Sequence, residues 1–79
     1  MAKFIVFEND RPILKTAGKN NAFCTAGEKA QEIKFTAPLG TKIEVAKDGK
    51  VALTYTLVER MILGSLARDW DVSVSSNNA

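Results

Sequence analysis

The first apolar positions of the chain form an unbroken run. Residues 3–8 (KFIVFE) hold four consecutive apolar side chains, β-branched or aromatic, which is typical of a central strand covered on both faces. Asn9 and Asp10 then favour a turn, because their side chains bond their own backbone. Residues 13–16 predict a second strand, and Pro12 at its start favours an edge position, where a missing N–H is tolerated.

The next segment changes from loop composition to helical spacing. Residues 17–23 carry glycine, asparagine and lysine and predict a surface loop. Thr25 and Glu28 match a capping box, so a helix is predicted to begin at Ala26 and to end before Pro38. A strand over residues 32–37 (EIKFTA) is the alternative, because apolar and polar residues alternate there.

Two alternating segments, 41–46 and 51–57, predict a β-hairpin. Their odd-numbered residues are mostly apolar and must share one face of the sheet. A two-residue turn at Asp48-Gly49 would put the odd residues of the second strand on the wrong face. A three-residue loop over 47–49, with Gly49 left-handed in a β-bulge, keeps one face apolar and is the predicted turn.

A second helix is predicted from about Leu57. Thr56 and Glu59 fit another capping box, and apolar or small residues follow at helical spacing. These are Val58, Met61, Ile62, Ser65 and Leu66. Gly64 costs up to about 1 kcal/mol relative to alanine inside a helix, so either the backbone packs closely there or the helix breaks.

The end of the chain completes the predicted architecture. Residues 70–74 (WDVSV) alternate as a final strand, and 75–79 predict a frayed polar tail. Trp70 is expected to be a core residue, with an interface anchor as the alternative. Residues 1–79 are expected to form one small globular α+β domain, an antiparallel sheet with two short helices in the order ββαββαβ. The alternative is an all-β Greek-key sandwich.

Charge narrows the choice of partner. Eleven basic residues against nine acidic ones give a net charge of +2, too small to demand nucleic acid. Nine of the basic residues lie within residues 1–50, so an electropositive surface is expected from the first half. The candidate partner-binding residues are Arg11, Lys15, Lys19, Asn20, Lys42, Lys47 and Lys50. The competing interpretation is a solvated face that keeps a small protein soluble.

Reactive side chains are sparse. The chain has no histidine, the usual general base and metal ligand, so we expect no enzyme, no metal and no cofactor. The single cysteine, Cys24, cannot form an internal disulfide, which predicts a cytoplasmic protein, and the thiol is expected to be buried. No apolar stretch approaches the roughly 18 residues of a membrane span, so no membrane partner is expected.

In size and in its strand, helix and hairpin layout, the chain resembles the small inhibitor proteins of phages and mobile elements, notably anti-CRISPR proteins. The resemblance concerns the format of the whole chain and assigns no residue. It implies binding to a host CRISPR effector complex, a ribonucleoprotein, and steric blocking of DNA or nuclease. The alternatives are a small nucleic-acid-binding protein and a virion or self-assembling protein. A monomer and a homodimer are both compatible with the sequence.

Overall fold

A computed structural model describes residues 3–75. These residues form β1 (Phe4–Glu8), β2 (Arg11–Thr16), α1 (Lys19–Ile33), β3 (Lys42–Lys47), β4 (Lys50–Ile62) and β5 (Ser65–Val74). All neighbouring strands are antiparallel in one sheet of order β2-β1-β3-β4-β5. The predicted α+β class is therefore confirmed, whereas the order is ββαβββ with one helix in this part of the chain. The Greek-key alternative and the two-helix order are wrong.

The core lies between α1 and one face of the sheet. Ala22, Ala26 and Ala30 are buried and recur every four residues, so they form a single stripe along the helix. Their small side chains let the helix backbone approach the sheet closely. The sheet contributes Phe4, Val6, Ile43, Val45 and Leu53. α1 has fifteen residues, and no helix within residues 3–75 is long and apolar enough to cross a membrane.

The first hairpin follows its prediction in most respects. β1 is an interior strand paired with β2 and β3, and β2 is an edge strand. Asn9 and Asp10 form the turn, with φ angles of 50° and 68°. One expectation is wrong: α1 packs on one face only, so Ile5 and Phe7 point to the uncovered face and are half-buried.

The helix begins seven residues earlier than predicted and ends earlier as well. It starts at Lys19, after Gly18 in an extended conformation and without a side-chain cap, so the predicted loop over 17–23 is wrong. Thr25 and Glu28 lie inside the helix and form no capping box. The buried alanine stripe starts at Ala22, which shows that packing on the sheet, and not a capping signal, sets this boundary. The alternative strand over 32–37 is also wrong, because α1 runs to Ile33 and a turn follows.

The β3–β4 hairpin places Leu53, Tyr55 and Leu57 on one face as predicted, but not Val51, and it does so with a different turn. Its turn has two residues, Asp48 and Gly49, with φ angles of 51° and 84°, so the three-residue loop is wrong. The register instead shifts along β4, where Ala52 has no partner between the Val45–Leu53 pair and the next pair. Leu53 therefore faces the helix, while Val51, on the other side of the shift, is 45% exposed.

The predicted second helix is wrong, because β4 continues to Ile62 and returns as β5. The turn is Leu63-Gly64, with φ angles of 52° and 82°. β3 pairs with β4 only as far as Thr56, so beyond Leu57 the two strands pair with each other alone. We call residues 58–69 the arm. The arm lengthens the molecule to 47 Å, against 24 and 19 Å in the other directions.

β5 fastens the base of the arm to the end of α1. The last four carbonyls of a helix lack intrahelical partners. The Trp70 indole N–H donates to the Ala30 carbonyl at 2.9 Å, and the Arg68 guanidinium donates to the carbonyls of Lys34 and Ala37. Trp70 also packs edge-on against Tyr55, with ring centroids 6.2 Å apart. Trp70 is half-buried and packs against the core, within a β5 that contains the predicted strand 70–74. The predicted tail lies outside the described residues, except for Ser75.

Candidate interaction surfaces

Antiparallel pairing gathers most of the predicted binding residues at one end of the sheet. Phe4 pairs with both Thr16 and Lys47, and Lys47 pairs with Lys50, so these strand ends meet. We call this region, residues 3–4, 15–20, 47–50 and 74–75, the basic end. It contains the predicted residues Lys15, Lys19, Asn20, Lys47 and Lys50, together with Lys3, which the sequence did not single out.

Charge is strongly separated between the basic end and the rest of the chain. Five of the eleven basic residues lie here beside one carboxylate, Asp48. The remainder of the chain holds six basic and eight acidic residues, so a net charge of +2 conceals opposite local charges. The start of α1 adds roughly half a positive charge from the helix dipole, and its first turn contains no acidic residue.

Backbone hydrogen bonds hold the lysines of this end on the sheet. The Asp48 amide donates to the Lys3 carbonyl, and the Lys3 amide donates to Asp48 Oδ1, both at 2.9 Å. The single carboxylate is therefore engaged with a backbone amide. The turn is tied to the start of β1, which fixes the backbone positions from which Lys3, Lys47 and Lys50 project.

Two of these lysines, Lys19 and Lys47, form a positive rim beside an aromatic floor. Phe4 and Phe23 contact edge to face, with centroids 6.4 Å apart, and Lys19 Nζ lies 5.9 Å from the Phe23 centroid. These residues and Lys47 line a shallow cavity of about 270 Å³. A cationic rim over an apolar floor suits an anionic group attached to an apolar or planar one.

The other two predicted residues do not join this cluster. Arg11 pairs with Glu8 at the far end of β1, roughly 14 Å away at about 3.4 Å per residue. Lys42 begins β3 at that same far end, and its amide donates to Asn9 Oδ1 at 2.9 Å. Both lie at the opposite end of β1 and β3 from the basic end, so they do not extend the positive surface.

A second surface, which the sequence did not single out, is the apolar tip of the arm. Met61, Ile62, Leu63 and Leu66 are all exposed there. Met61 pairs with Leu66 on one face of the arm and Ile62 lies on the other, so both faces end in apolar side chains. The residue that could have indicated this tip from the sequence is Gly64, because glycine favours a turn and it is the second central residue of the turn that ends β4.

Cys24 is exposed on α1, so the expected burial is wrong. It lies two residues from both Ala22 and Ala26 and therefore on the side of the helix away from the sheet.

No family model matches the chain, and neither a curated protein nor a solved structure matches it.

Proposed function

We propose that the chain is a non-enzymatic binding protein of bacterial cytoplasm that inhibits a defence nucleoprotein, of the CRISPR effector type, by docking its basic end on phosphates. The observation that carries the proposal is the concentration of five lysines at one end of the sheet beside one already engaged carboxylate, with Lys19 and Lys47 lining the cavity over Phe4 and Phe23. The choice of a CRISPR effector comes from the resemblance in format to phage inhibitors.

Phosphates suit this surface better than scattered protein carboxylates do. Lysine ammonium groups act as point charges for phosphate, and free N–H groups at a helix start also favour anions. Phosphates follow one another about every 3.4 Å along a strand, and the molecule is 24 Å across its second-longest direction, so its body covers a length of about seven phosphates. A body that covers this length would exclude the DNA, or the nuclease, that needs the same path.

Two matched double variants test the proposal. Lys19→Gln/Lys47→Gln removes two charges that line the cavity, whereas Arg11→Gln/Lys42→Gln removes two charges from the far end. All four side chains are exposed, so both variants should fold. The measurements are inhibition of target cleavage by a panel of purified CRISPR effectors, and affinity for the inhibited effector at several salt concentrations.

The first variant should bind at least about tenfold more weakly at low salt and lower the salt slope by about 2, because two phosphate contacts are lost. The far-end variant should stay within about threefold of the parent. Equal losses in both variants, or no inhibition of any effector, would contradict the proposal. Equally tight binding of the parent chain to a bare duplex oligonucleotide would favour the alternative, direct nucleic-acid binding.

A further inference from the structure

Three two-residue turns of this chain share one backbone geometry. Asn9-Asp10, Asp48-Gly49 and Leu63-Gly64 all have positive φ at both central positions, between 50° and 84°. Asparagine, aspartate and glycine adopt this left-handed region readily, and they are the residues that such hairpin turns prefer. A bulky side chain there is an outlier. Leu63 is therefore the one residue of these three turns that its backbone conformation disfavours.

The side chain of Leu63 gains no burial that would offset the cost of this backbone conformation. Its side chain is 101% exposed, more than that of any other large apolar residue described. Its neighbours Met61, Ile62 and Leu66 are exposed as well, so it packs against no core. Neither the turn nor the fold accounts for a leucine at this position, and backbone outliers of this kind concentrate at functional sites.

We propose that the arm tip is a protein-binding site, in which Leu63 is the anchor that inserts into an apolar pocket of a partner protein. The tip is convex and stands at the end of a two-stranded ribbon, so it fits a concave site. Leu63 lies at the apex, and Met61, Ile62 and Leu66 surround it on both faces of the ribbon. Exposed apolar side chains that are clustered in this way mark interaction sites.

The charges behind the tip select a protein pocket over a lipid surface. The arm and the next strand positions carry Arg60 and Arg68 against Glu59, Asp69 and Asp71. Arg60 is already paired with Asp69 at 3.4 Å and with Asp71 at 3.1 Å, and Arg68 is bound to carbonyls near the end of α1. An apolar tip without free cations gains nothing from an anionic bilayer. The pocket of the partner should have a neutral or weakly basic rim.

The tip and the basic end are too far apart to form one surface. β4 runs from Lys50 at the basic end to Ile62 at the tip, thirteen residues or about 40 Å. Binding of a partner protein at the tip therefore does not depend on what the basic end binds.

The first experiment measures what Leu63 does to the free protein. Leu63→Asn introduces a residue that the turn prefers, so it should raise the melting temperature by a few degrees. Leu63→Met keeps an apolar, flexible side chain and should leave the melting temperature nearly unchanged. A lower melting temperature for Leu63→Asn would show that leucine stabilises the turn, and it would overturn the proposal.

The second experiment identifies the partner. A photo-crosslinking amino acid replaces Leu63 in the full chain, which is expressed in native host cells. The control is the same replacement at Ser73, which lies on the body of the sheet. The protein crosslinked at position 63 is identified, purified and titrated with three forms of the chain. The unsubstituted chain and Leu63→Met should bind, whereas Leu63→Asn should bind about tenfold to a hundredfold more weakly, because one buried leucine side chain is lost from the pocket.

Four outcomes would overturn the proposal. The first is equal affinity of Leu63→Asn and the unsubstituted chain for the purified partner. The second is crosslinking at position 63 no stronger than at Ser73. The third is crosslinking only between copies of the chain, with a dimer or larger species in light scattering, which indicates self-assembly. The fourth is binding to phosphatidylcholine and phosphatidylglycerol vesicles that Leu63→Asn abolishes, which indicates a membrane.

Discussion

The turns at Asp48-Gly49 and Leu63-Gly64 have almost the same backbone and opposite surroundings. The first is tied to β1 by two hydrogen bonds with Lys3 and stands beside buried Phe4. The second stands at the end of the arm, with its leucine fully in water. Backbone geometry alone therefore does not distinguish a turn that holds the sheet together from one that presents a side chain. The residue in the first central position, Asp48 in one turn and Leu63 in the other, distinguishes them.

The boundary between the two regions lies at Leu57. It is the last fully buried residue of β4, and it pairs with Trp70, which is fastened to the end of α1. Beyond this pair, β4 and β5 pair only with each other, and the Arg68 guanidinium is the side chain that reaches back to the end of α1. The basic end thus rests directly on the core, whereas the apolar tip is held away from it.

The largest expected effect comes from breaking this boundary. Leu57→Ala should lower the free energy of unfolding by about 2–5 kcal/mol, because a fully buried leucine leaves a cavity. Leu66→Ala, the same substitution at a 64% exposed position on the arm, should change it by no more than about 0.5 kcal/mol. Urea unfolding measures both. A comparable loss from Leu66→Ala would mean that the arm is packed in solution and offers no free tip.

A smaller effect is expected from giving the Asp48-Gly49 turn of the basic end the leucine that the tip turn carries. Asp48→Leu should cost about 1–2 kcal/mol, because leucine is disfavoured in the left-handed region and the acceptor for the Lys3 amide is lost. Asp48→Asn keeps an acceptor and a compatible residue, and it should stay within about 0.5 kcal/mol. Thermal unfolding measures both. If Asp48→Leu is neutral, left-handed leucine is inexpensive in this chain, and the case for Leu63 as a functional residue fails.

The hydrophobic pattern predicts correctly the strands whose apolar side chains are buried in the core. Ile43, Val45, Leu53 and Leu57 were expected on one face, and all four are buried there. The same pattern predicts a helix where the arm lies, because the tip of the arm is not buried and its residues reflect no core. Consecutive exposed residues such as Met61, Ile62 and Leu63 are under no alternation imposed by a core, so an accidental helical spacing carried no structural information. The start of α1 was missed for the opposite reason, since small buried alanines gave a weaker signal than a capping motif that the helix does not use.

The sequence predicts most residues of the candidate site, but it does not predict which of them lie together. Charge alone predicts Lys15, Lys19, Lys47 and Lys50, and they meet because β1 lies between β2 and β3. A strand order of this kind depends on long-range pairing that no local pattern specifies. For the same reason Arg11 and Lys42 could not be assigned to the opposite end before the register was known. Nothing local marks Lys3, although its place just before β1 puts it beside Asp48.

The smallest expected effect uses one substitution at two glycines. Gly27 lies inside α1 and Gly64 at the tip turn with φ of 82°, and an added methyl group would meet no atom within 4 Å at either position. Packing is thus matched, and only the backbone differs. Gly27→Ala should stabilise the protein by about 0.5–1 kcal/mol because alanine favours the helix, while Gly64→Ala should destabilise it by about 1 kcal/mol because alanine disfavours positive φ. Melting temperatures should move in opposite directions, by roughly 4–8 °C per kcal/mol. If Gly64→Ala is neutral, the tip turn relaxes out of the left-handed region in solution, and Leu63 beside it is then not held against its backbone preference.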